Sequence, residues 1–390
     1  MTERFQKYGV IDIDISRVSC AEIPEGLGGF AVCLWNDGRP VDFLICDSGD
    51  SATLLSKIHT TIAALPTRPR RLSANPESLP ELGVAVCTHN RPRRLERCLS
   101  ALLPQLADGD VTRVLVVDNA PDSDESKDVA RRAGVDYFRE PVAGLNFARN
   151  AAVEQSSCDW IAFVDDDVVV APGWGRALRH ATAESNDVGA VTGQILPLAL
   201  ETPAQLAFER RGGFRRGFEP SSFNGRDRRG ILFPVRAGLF GNGANMAFRR
   251  TLLVDLGGFD NALDRGAQLP GGGDLDIFCR VIASGATLRY EPAAMVYHEH
   301  RRDWLGLKRQ YAESWGKAHM AYVQKLIRHG PYRGRALIYA AWWIAHELKQ
   351  IGRALIGRHP VPAATLLQEC YGGLAGITAY QATISEKACK

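Results

Sequence analysis

Three consecutive carboxylates, Asp165, Asp166 and Asp167, are the residues of this chain whose type and spacing best suit chemistry. They directly follow the apolar run 161–164, which is typical of a buried parallel strand. Adjacent like charges repel one another, and a hard divalent cation with oxygen ligands would relieve that repulsion. The triplet therefore predicts a metal site at a strand end, and a solvated acidic turn is the alternative.

Polar side chains also follow two earlier apolar runs. Thr88 and Asn90 come after the predicted strand 83–87, and Asp118 comes after the predicted strand 114–117. Because ligands of open α/β sheets bind at the carboxyl ends of the strands, we expect these residues to share one pocket with the triplet. No Gly-x-Gly-x-x-Gly follows the first strand and no Gly-Lys-Ser/Thr occurs in the sequence, which disfavours a dinucleotide fold or a P-loop.

The elements that must position these residues alternate between strand and helix from residue 83 onward. Strands are predicted at 83–87, 114–117, 135–138 and 161–164, with helices at 92–106, 124–133 and 145–155. This alternation predicts an α/β fold with a doubly wound parallel sheet, which residues 188–192 would continue. Further along, we expect helices at 251–256 and 275–284 and two separate short strands at 287–290 and 295–298.

Four regions are predicted from the changes in composition and apolar pattern along the chain. Residues 1–65 resemble a small β-rich accessory domain of the α+β type, with a strand, a hairpin and a helix. Residues 66–82 are a proline-rich linker, residues 83–300 the main α/β domain, and residues 301–390 a helical region. The nine cysteines form no Cys-x-x-Cys pair and no apolar signal segment begins the sequence, so we expect a cytoplasmic protein with reduced thiols.

The last region is basic and rich in tryptophan. Residues 301–390 carry 14 Lys and Arg against 5 Asp and Glu, a balance of +9, in a chain whose net charge is +3. A predicted apolar helix at 336–345 is flanked by basic residues and is too short to span a bilayer. The pattern favours a helix that lies on an anionic membrane surface. The alternative is a helix packed on the main domain or on a partner in a homodimer.

Together, the motifs resemble those of family 2 glycosyltransferases with the GT-A fold, including bacterial rhamnosyl and other glycosyl transferases. The residues that carry the resemblance are 84–91, 116–119, 144–151, 163–167 and 272–276. It covers about residues 83–300. It implies a metal-dependent, inverting enzyme that moves a sugar from a nucleotide-diphosphate sugar to a hydroxyl of a glycan, lipid-linked or secondary-metabolite acceptor.

The resemblance also implies roles on the donor side. Thr88, Asn90 and Asp118 would bind the nucleotide, with Thr88 and Asp118 lining the base pocket. Arg149 matches the arginine of an Ala-Arg-Asn motif near the donor. Asp165 matches the first acidic position of a DxD motif and would face the ribose or the donor sugar.

On the metal and acceptor sides, the resemblance assigns three more residues. Asp167 matches the second acidic position of the DxD motif and would bind Mn²⁺ or Mg²⁺, and His298 would complete the metal shell. Asp274 would be the general base that deprotonates the acceptor, with capping of its helix as the alternative role. One departure is Gly273, because the family commonly has a glutamate at this position.

Two rival functions remain at this stage. A sugar nucleotidyltransferase of similar fold is disfavoured because no glycine-rich loop with Lys or Arg follows the first strand. A non-catalytic carbohydrate-binding or scaffold protein stays open because of Gly273. We expect the partners to be a nucleotide sugar, a carbohydrate or lipid-linked acceptor and the inner face of the membrane, and we expect no nucleic acid.

Overall fold

A computed structural model describes residues 5–65, 79–227, 229–266 and 268–388. Most of the predicted proline-rich linker 66–82 lies outside the described residues. Two sheets are described, a three-stranded sheet near the N-terminus and a nine-stranded sheet in the rest of the chain.

The N-terminal sheet consists of β1 (Tyr8–Asp14), β2 (Gly29–Asn36) and β3 (Arg39–Cys46), followed by α1 (Ser51–Ala64). The strand β1 runs parallel to β2, and β2 and β3 form the predicted hairpin. Helix α1 covers one face of the sheet, where Phe30 and Leu54 are fully buried. The opposite face packs on the rest of the chain, where Phe43 belongs to one apolar cluster with Leu206 and Met295.

The large sheet begins with the predicted alternation of strands and helices. Its first half contains β4 (Leu82–Thr88), α2 (Pro92–Ala107), β5 (Arg113–Asn119), α3 (Glu125–Ala133), β6 (Asp136–Glu140), α4 (Leu145–Gln155) and β7 (Trp160–Asp165). The four strands are parallel, in the order β7-β4-β5-β6. They are largely buried except for the edge strand β6, as expected for a sheet with helices on both faces. The predicted α/β fold is therefore confirmed.

The second half of the sheet is mixed and corrects one prediction. It contains β8 (Val168–Val170), β9 (Val188–Pro197), β10 (Ser221–Phe223), β11 (Asn245–Arg249) and β12 (Thr287–His298). Residues 188–192 continue the sheet as predicted, within β9, and the antiparallel strand β11 lies between β7 and β9. The two short strands expected at 287–290 and 295–298 are one strand, with a register shift between Glu291 and Val296.

Four helices of this half cover the sheet, namely α5 (Trp174–Thr182), α6 (Pro203–Arg210), α7 (Arg250–Asp255) and α8 (Gly273–Ala283). Two large apolar clusters form the core of the main domain, one on each side of the sheet. Strand β12 also contacts the N-terminal sheet, because Tyr297 donates a hydrogen bond to the Asp12 carboxylate and Glu291 pairs with Arg39 at 2.6 Å.

The C-terminal region is helical, as predicted. It contains α9 (Trp304–Gln310), a π-helix (Tyr311–Ala318), α10 (His319–His329), α11 (Arg333–Leu355) and α12 (Ala363–Ala388). The helix expected at 336–345 is wrong in length, because α11 has 23 residues. One of its faces is buried against the main domain through Tyr339 and Trp343. Among the described residues, no helix has both the length and the apolar character that crossing a membrane requires.

Candidate active site

The ends of three parallel strands bring the predicted polar residues to one edge of the sheet. Thr88 at the end of β4 is in register with Asp118 at the end of β5. On the other side of β4, Cys87 is in register with Asp165, the last residue of β7. Residues separated by 30 and by 78 positions in the sequence are thus neighbours, as the strand pattern predicts.

Of the three predicted nucleotide-binding residues, Asp118 has the most telling environment. It is fully buried, its Oδ2 accepts a hydrogen bond from the Tyr137 hydroxyl at 3.0 Å, and its Oδ1 has no partner in the described part of the chain. Burial raises the pKa of this carboxyl above its usual range. Asn90 is exposed, has a left-handed backbone with φ 54° and donates to Asp122 at 2.6 Å. An unpaired buried acceptor such as Asp118 Oδ1 suits a donor group of a ligand.

The three consecutive carboxylates have three different environments. Asp166 is buried, and it accepts hydrogen bonds from the Thr88 hydroxyl at 2.8 Å and from Arg91 at 3.2 Å. Burial and then the neighbouring Asp167 raise the pKa of Asp165 to about 7. Asp166 therefore fixes Thr88 and the start of α2, a positioning role that the sequence pattern does not indicate, while Asp165 and Asp167 remain for ligands.

Asp167 meets His298 because β12 pairs with the strand that follows the triplet. His298 is opposite Val168 in the β8–β12 pairing, and its Nε2 is 3.3 Å from Asp167 Oδ1. Arg94 approaches the other oxygen, Oδ2, at 3.4 Å. Burial raises the pKa of Asp167, but the positive charge of His298 in its protonated form and then the charges of the nearby arginines outweigh this effect, and the pKa lies below its usual range. Burial lowers the pKa of His298 to about 4, so the imidazole is neutral at pH 7.

This pair of side chains fits a divalent cation. Two ligands that each bind one octahedral cation at about 2.1 Å are separated by about 3 Å, and Asp167 Oδ1 and His298 Nε2 are 3.3 Å apart. Imidazole together with carboxylate favours Mn²⁺ over Mg²⁺. Among the described residues, no group of three or more His, Cys, Asp or Glu side chains forms a metal cage. The described protein groups thus offer an incomplete ligand shell, open to ligands from elsewhere.

The predicted general base, Asp274, lies in the first turn of α8 and is held by backbone groups. Its Oδ2 accepts from the Gly243 N–H at 2.9 Å and its Oδ1 from the Leu275 N–H at 2.9 Å. The residue at the N-cap position is Gly272, which has no side chain to cap the helix, so Asp274 also satisfies one of the free N–H groups of the first turn. A Cβ at Gly243 would lie 2.8 Å from Arg149 Nη2 and 3.2 Å from Asp274 Cβ. Arg149, a predicted donor-side residue, therefore lies beside Asp274.

The absence of a side chain at position 273 has a steric reason. A Cβ at Gly273 would lie 2.3 Å from Asp264 Oδ2 and 2.4 Å from Asn146 Nδ2, which no real side chain tolerates. Instead, the Asp264 carboxylate accepts from the Gly273 N–H at 2.8 Å and pairs with the buried Arg149 at 3.4 Å. A carboxylate is therefore present beside Asp274, but another loop supplies it.

Sequence reasoning missed Asp264. It lies outside the predicted elements, in a turn with a left-handed backbone at φ 51°, and only the fold brings it to Arg149. Burial raises the pKa of Asp264 to about 6, and the nearby Asp274 adds to this. The one available signal was indirect, because Arg149 on a buried helix face needs an acidic partner.

Comparisons with known proteins agree on one family. Residues 83–253 match the model described as Glycosyl transferase family 2. The pre-mycofactocin glycosyltransferase of Mycobacterium tuberculosis is 29% identical over 208 residues, which are 52% of this chain and 41% of that protein. The succinoglycan biosynthesis protein ExoM of Rhizobium meliloti is 27% identical over 313 residues, 77% of this chain and 88% of that protein. This chain thus spans less than half of the Mycobacterium relative's length.

Among solved structures, the mannosyltransferase PcManGT from Pyrobaculum calidifontis, in complex with GDP-Man and Mn²⁺, aligns with a TM-score of 0.46. The two sequences are 18% identical, and the alignment covers 86% of this chain and 94% of that one.

Proposed function

Since residues 83–253 belong to Glycosyl transferase family 2, we propose that this chain is a metal-dependent glycosyltransferase that uses a nucleotide-diphosphate sugar. The single observation that carries the proposal is the Asp167–His298 pair, 3.3 Å apart, at the strand ends that also bear Asp118 and Asp165. A divalent cation held by this pair would neutralise the charge that develops on a departing diphosphate.

The chain's own residues divide the remaining work. Asp118 and Asn90 bind the nucleoside, with Asp118 Oδ1 as the acceptor, and Thr88 forms the wall of the base pocket. Asp165 faces the ribose or the sugar. Asp274 accepts the proton of the acceptor hydroxyl as that oxygen attacks the anomeric carbon. The bond from this carbon to the diphosphate oxygen breaks and the oxygen keeps the electron pair. Because the hydroxyl attacks from the face opposite the diphosphate, the anomeric configuration inverts.

The exposed residues of the C-terminal helices favour the hypothesis that the acceptor lies at a membrane. The exposed residues of α11 include apolar side chains such as Leu348 and Leu355, 63% and 74% exposed, and its exposed charges are basic. On α12, the exposed residues from 363 to 380 are uncharged and include Tyr371 and Leu374. An apolar face with only positive charges suits an anionic leaflet. We therefore propose a cytoplasmic enzyme, peripheral on the inner face of the membrane, with a lipid-linked or other carbohydrate acceptor.

The test of the donor reaction is a panel of UDP-, GDP- and dTDP-sugars with the full chain in Mn²⁺ or Mg²⁺. We expect release of the nucleoside diphosphate from one donor class, abolished by EDTA and restored by Mn²⁺. Asp167→Asn should abolish it as well, whereas Asp255→Asn, at the exposed end of α7, should retain it. Release that EDTA does not affect would contradict the proposal, and pyrophosphate release would indicate the nucleotidyltransferase alternative.

The membrane surface has a separate test by flotation with vesicles of phosphatidylglycerol and phosphatidylcholine. We expect the chain to float with these vesicles and not with phosphatidylcholine alone, and Leu348→Glu should weaken flotation. The matched control is Val254→Glu, a residue on α7 that is 54% exposed. Absence of flotation combined with a dimer in light scattering would instead assign the face to a second copy of the chain.

A further inference from the structure

Behind His298, on the side away from Asp167, lies a buried chain of polar side chains. His298 Nδ1 is 3.2 Å from His300 Nδ1, and His300 Nε2 is 2.7 Å from Glu209 Oε1. Glu209 is fully buried and His300 is 4% exposed. Together with the 3.3 Å contact between His298 Nε2 and Asp167, this forms a continuous row from Asp167 to the carboxylate of Glu209, which we call the histidine row.

The donor and acceptor roles in this row follow from the chemistry of its ends. An ionised carboxylate only accepts hydrogen bonds, so His300 Nε2 must donate to Glu209. A neutral imidazole has one donor and one acceptor, which leaves His300 Nδ1 as the acceptor and His298 Nδ1 as the donor. The remaining nitrogen, His298 Nε2, then directs a lone pair at Asp167. Two acceptors that face each other at 3.3 Å need a cation between them.

The surroundings hold the row in this arrangement. The His300 ring is packed between Phe208 and Phe214, with ring centroids at 4.7 and 5.8 Å. The guanidinium of Arg215 lies 3.1 Å from the second oxygen of Glu209 and forms an ion pair with this carboxylate. At Gly213, with φ 53°, a Cβ would lie 2.2 Å from Glu209 Oε1. The loop after α6 therefore closes over Glu209 and leaves it little freedom to turn.

We propose that Glu209, through His300, fixes the tautomer and ring orientation of His298 so that its Nε2 lone pair is available to a divalent cation beside Asp167. Glu209 and His300 are positioning residues, because neither touches the cation or the substrates. The inference rests on the metal site of the proposed function and deepens it. Outer partners of this kind orient histidine ligands and raise their basicity. Sequence reasoning did not indicate Glu209, which lies 91 residues from His300.

The first test measures Mn²⁺ binding alone, from the electron paramagnetic resonance signal of free Mn²⁺ in titrations of the full chain. We expect Glu209→Gln and His300→Phe to weaken Mn²⁺ binding by about 10- to 100-fold. The matched control is Glu201→Gln, which removes an exposed carboxylate eight residues earlier that pairs with Arg302; its affinity should equal that of the unchanged chain. Circular dichroism melting establishes that each variant is folded. Unchanged Mn²⁺ affinity in a folded Glu209→Gln variant would overturn the proposal.

The second test needs neither metal nor a stable Glu209 variant. Long-range ¹H–¹⁵N spectra of the unsubstituted chain with ¹⁵N-labelled histidine report which ring nitrogen carries the proton. The His298→Gln spectrum assigns the signals. We expect the proton on Nδ1 of His298 and on Nε2 of His300, and a proton on His298 Nε2 at neutral pH would refute the row. If the chain shows this tautomer but binds no Mn²⁺, the proposed metal site is wrong. The histidine row would then still describe the tautomers of His298 and His300 correctly.

Discussion

The two sides of the cleft hold their carboxylates in opposite ways. On the metal side, Asp167 is surrounded by charged or ionisable side chains, with His298 at 3.3 Å and Arg94 at 3.4 Å. On the acceptor side, Asp274 accepts from two backbone N–H groups and makes no ion pair in the described part of the chain. Both are aspartates near the same sheet edge, so their different partners must set their different tasks.

The different partners suit two different tasks, which are to hold a negative charge at Asp167 and to accept a proton at Asp274. Cationic neighbours keep the pKa of Asp167 low, so it stays ionised to a lower pH than an ordinary aspartate, which suits a permanent ligand. Backbone donors fix the position of Asp274 but supply no full positive charge, and each of its oxygens keeps a lone pair for an incoming proton.

The largest expected effect separates the two aspartates by their functions. Asp274→Asn should lower turnover by about 10²- to 10⁴-fold, because it removes a positioned base, and should leave Mn²⁺ affinity unchanged. Asp167→Asn should lower Mn²⁺ affinity itself. Turnover by nucleoside diphosphate release and Mn²⁺ binding are measured on both variants, each serving as the control for the other. Equal losses of Mn²⁺ affinity in the two variants would break the comparison.

A second effect concerns the pH dependence of stability on the acceptor side. The pKa of Asp264 is about 6 in the folded protein against an ordinary value of 3.8, so the folded state binds this proton more tightly than the unfolded state. The contribution of Asp264 to the free energy of unfolding is therefore complete below about pH 4 and falls by about 3 kcal/mol as the pH rises past 6.

Asp264→Asn removes this titration, and urea unfolding at several pH values measures it. The stability of the unchanged chain relative to the variant should fall by that amount between pH 4 and pH 7. The stability of the unchanged chain relative to Asp167→Asn should change in the opposite direction and fall at low pH. The pKa of Asp167 is lowered, so its contribution to stability is lost as the pH falls. Parallel pH profiles for the unchanged chain and Asp264→Asn would contradict the assignment.

The smallest effect tests the steric basis of Gly273. Gly273→Ala should destabilise the chain by about 2 kcal/mol, because the new methyl group collides with Asp264 and Asn146 in a packed site. Gly352→Ala is the matched control in α11, where a Cβ meets nothing within 4 Å, and it should stabilise the helix by about 0.5–1 kcal/mol. Both are measured by urea unfolding. Equal stability of the two variants would show that position 273 tolerates a side chain.

The sequence predicted the parallel half of the sheet well, because the signals there are local. The strands β4, β5 and β7 are apolar runs that end in polar residues, and each strand from β4 to β6 is followed by a helix. The mixed half was harder. Strand β11 has five residues, and nothing in so short a run indicates that it inserts antiparallel between β7 and β9. The long β12 was divided in two because Pro292 interrupts its pattern.

The residues of the site differ in the same way, because some have a local signal in the sequence and others do not. Asp118, Asp165 and Asp167 were predicted because they end strands, and Asp274 was predicted because it matches a motif of the family that the sequence resembles. Three residues were not predicted, namely Asp264, Asp166 and Glu209. The partners of Asp264 and Glu209 lie far away in the sequence, and nothing in the sequence distinguishes Asp166 from its two neighbours. A buried ion pair or hydrogen bond depends on tertiary packing, which no local pattern encodes.

The N-terminal sheet has a practical consequence for anyone who wishes to shorten this protein. Phe43 shares an apolar cluster with Met295 of β12, and Asp12 accepts a hydrogen bond from Tyr297, the residue just before His298. Removal of residues 5–65 would expose this cluster to water and leave the strand that carries His298 without its backing. A trimmed version that begins at residue 79 would therefore tend to aggregate and to hold His298 less firmly, even though every residue assigned to the proposed reaction would still be present.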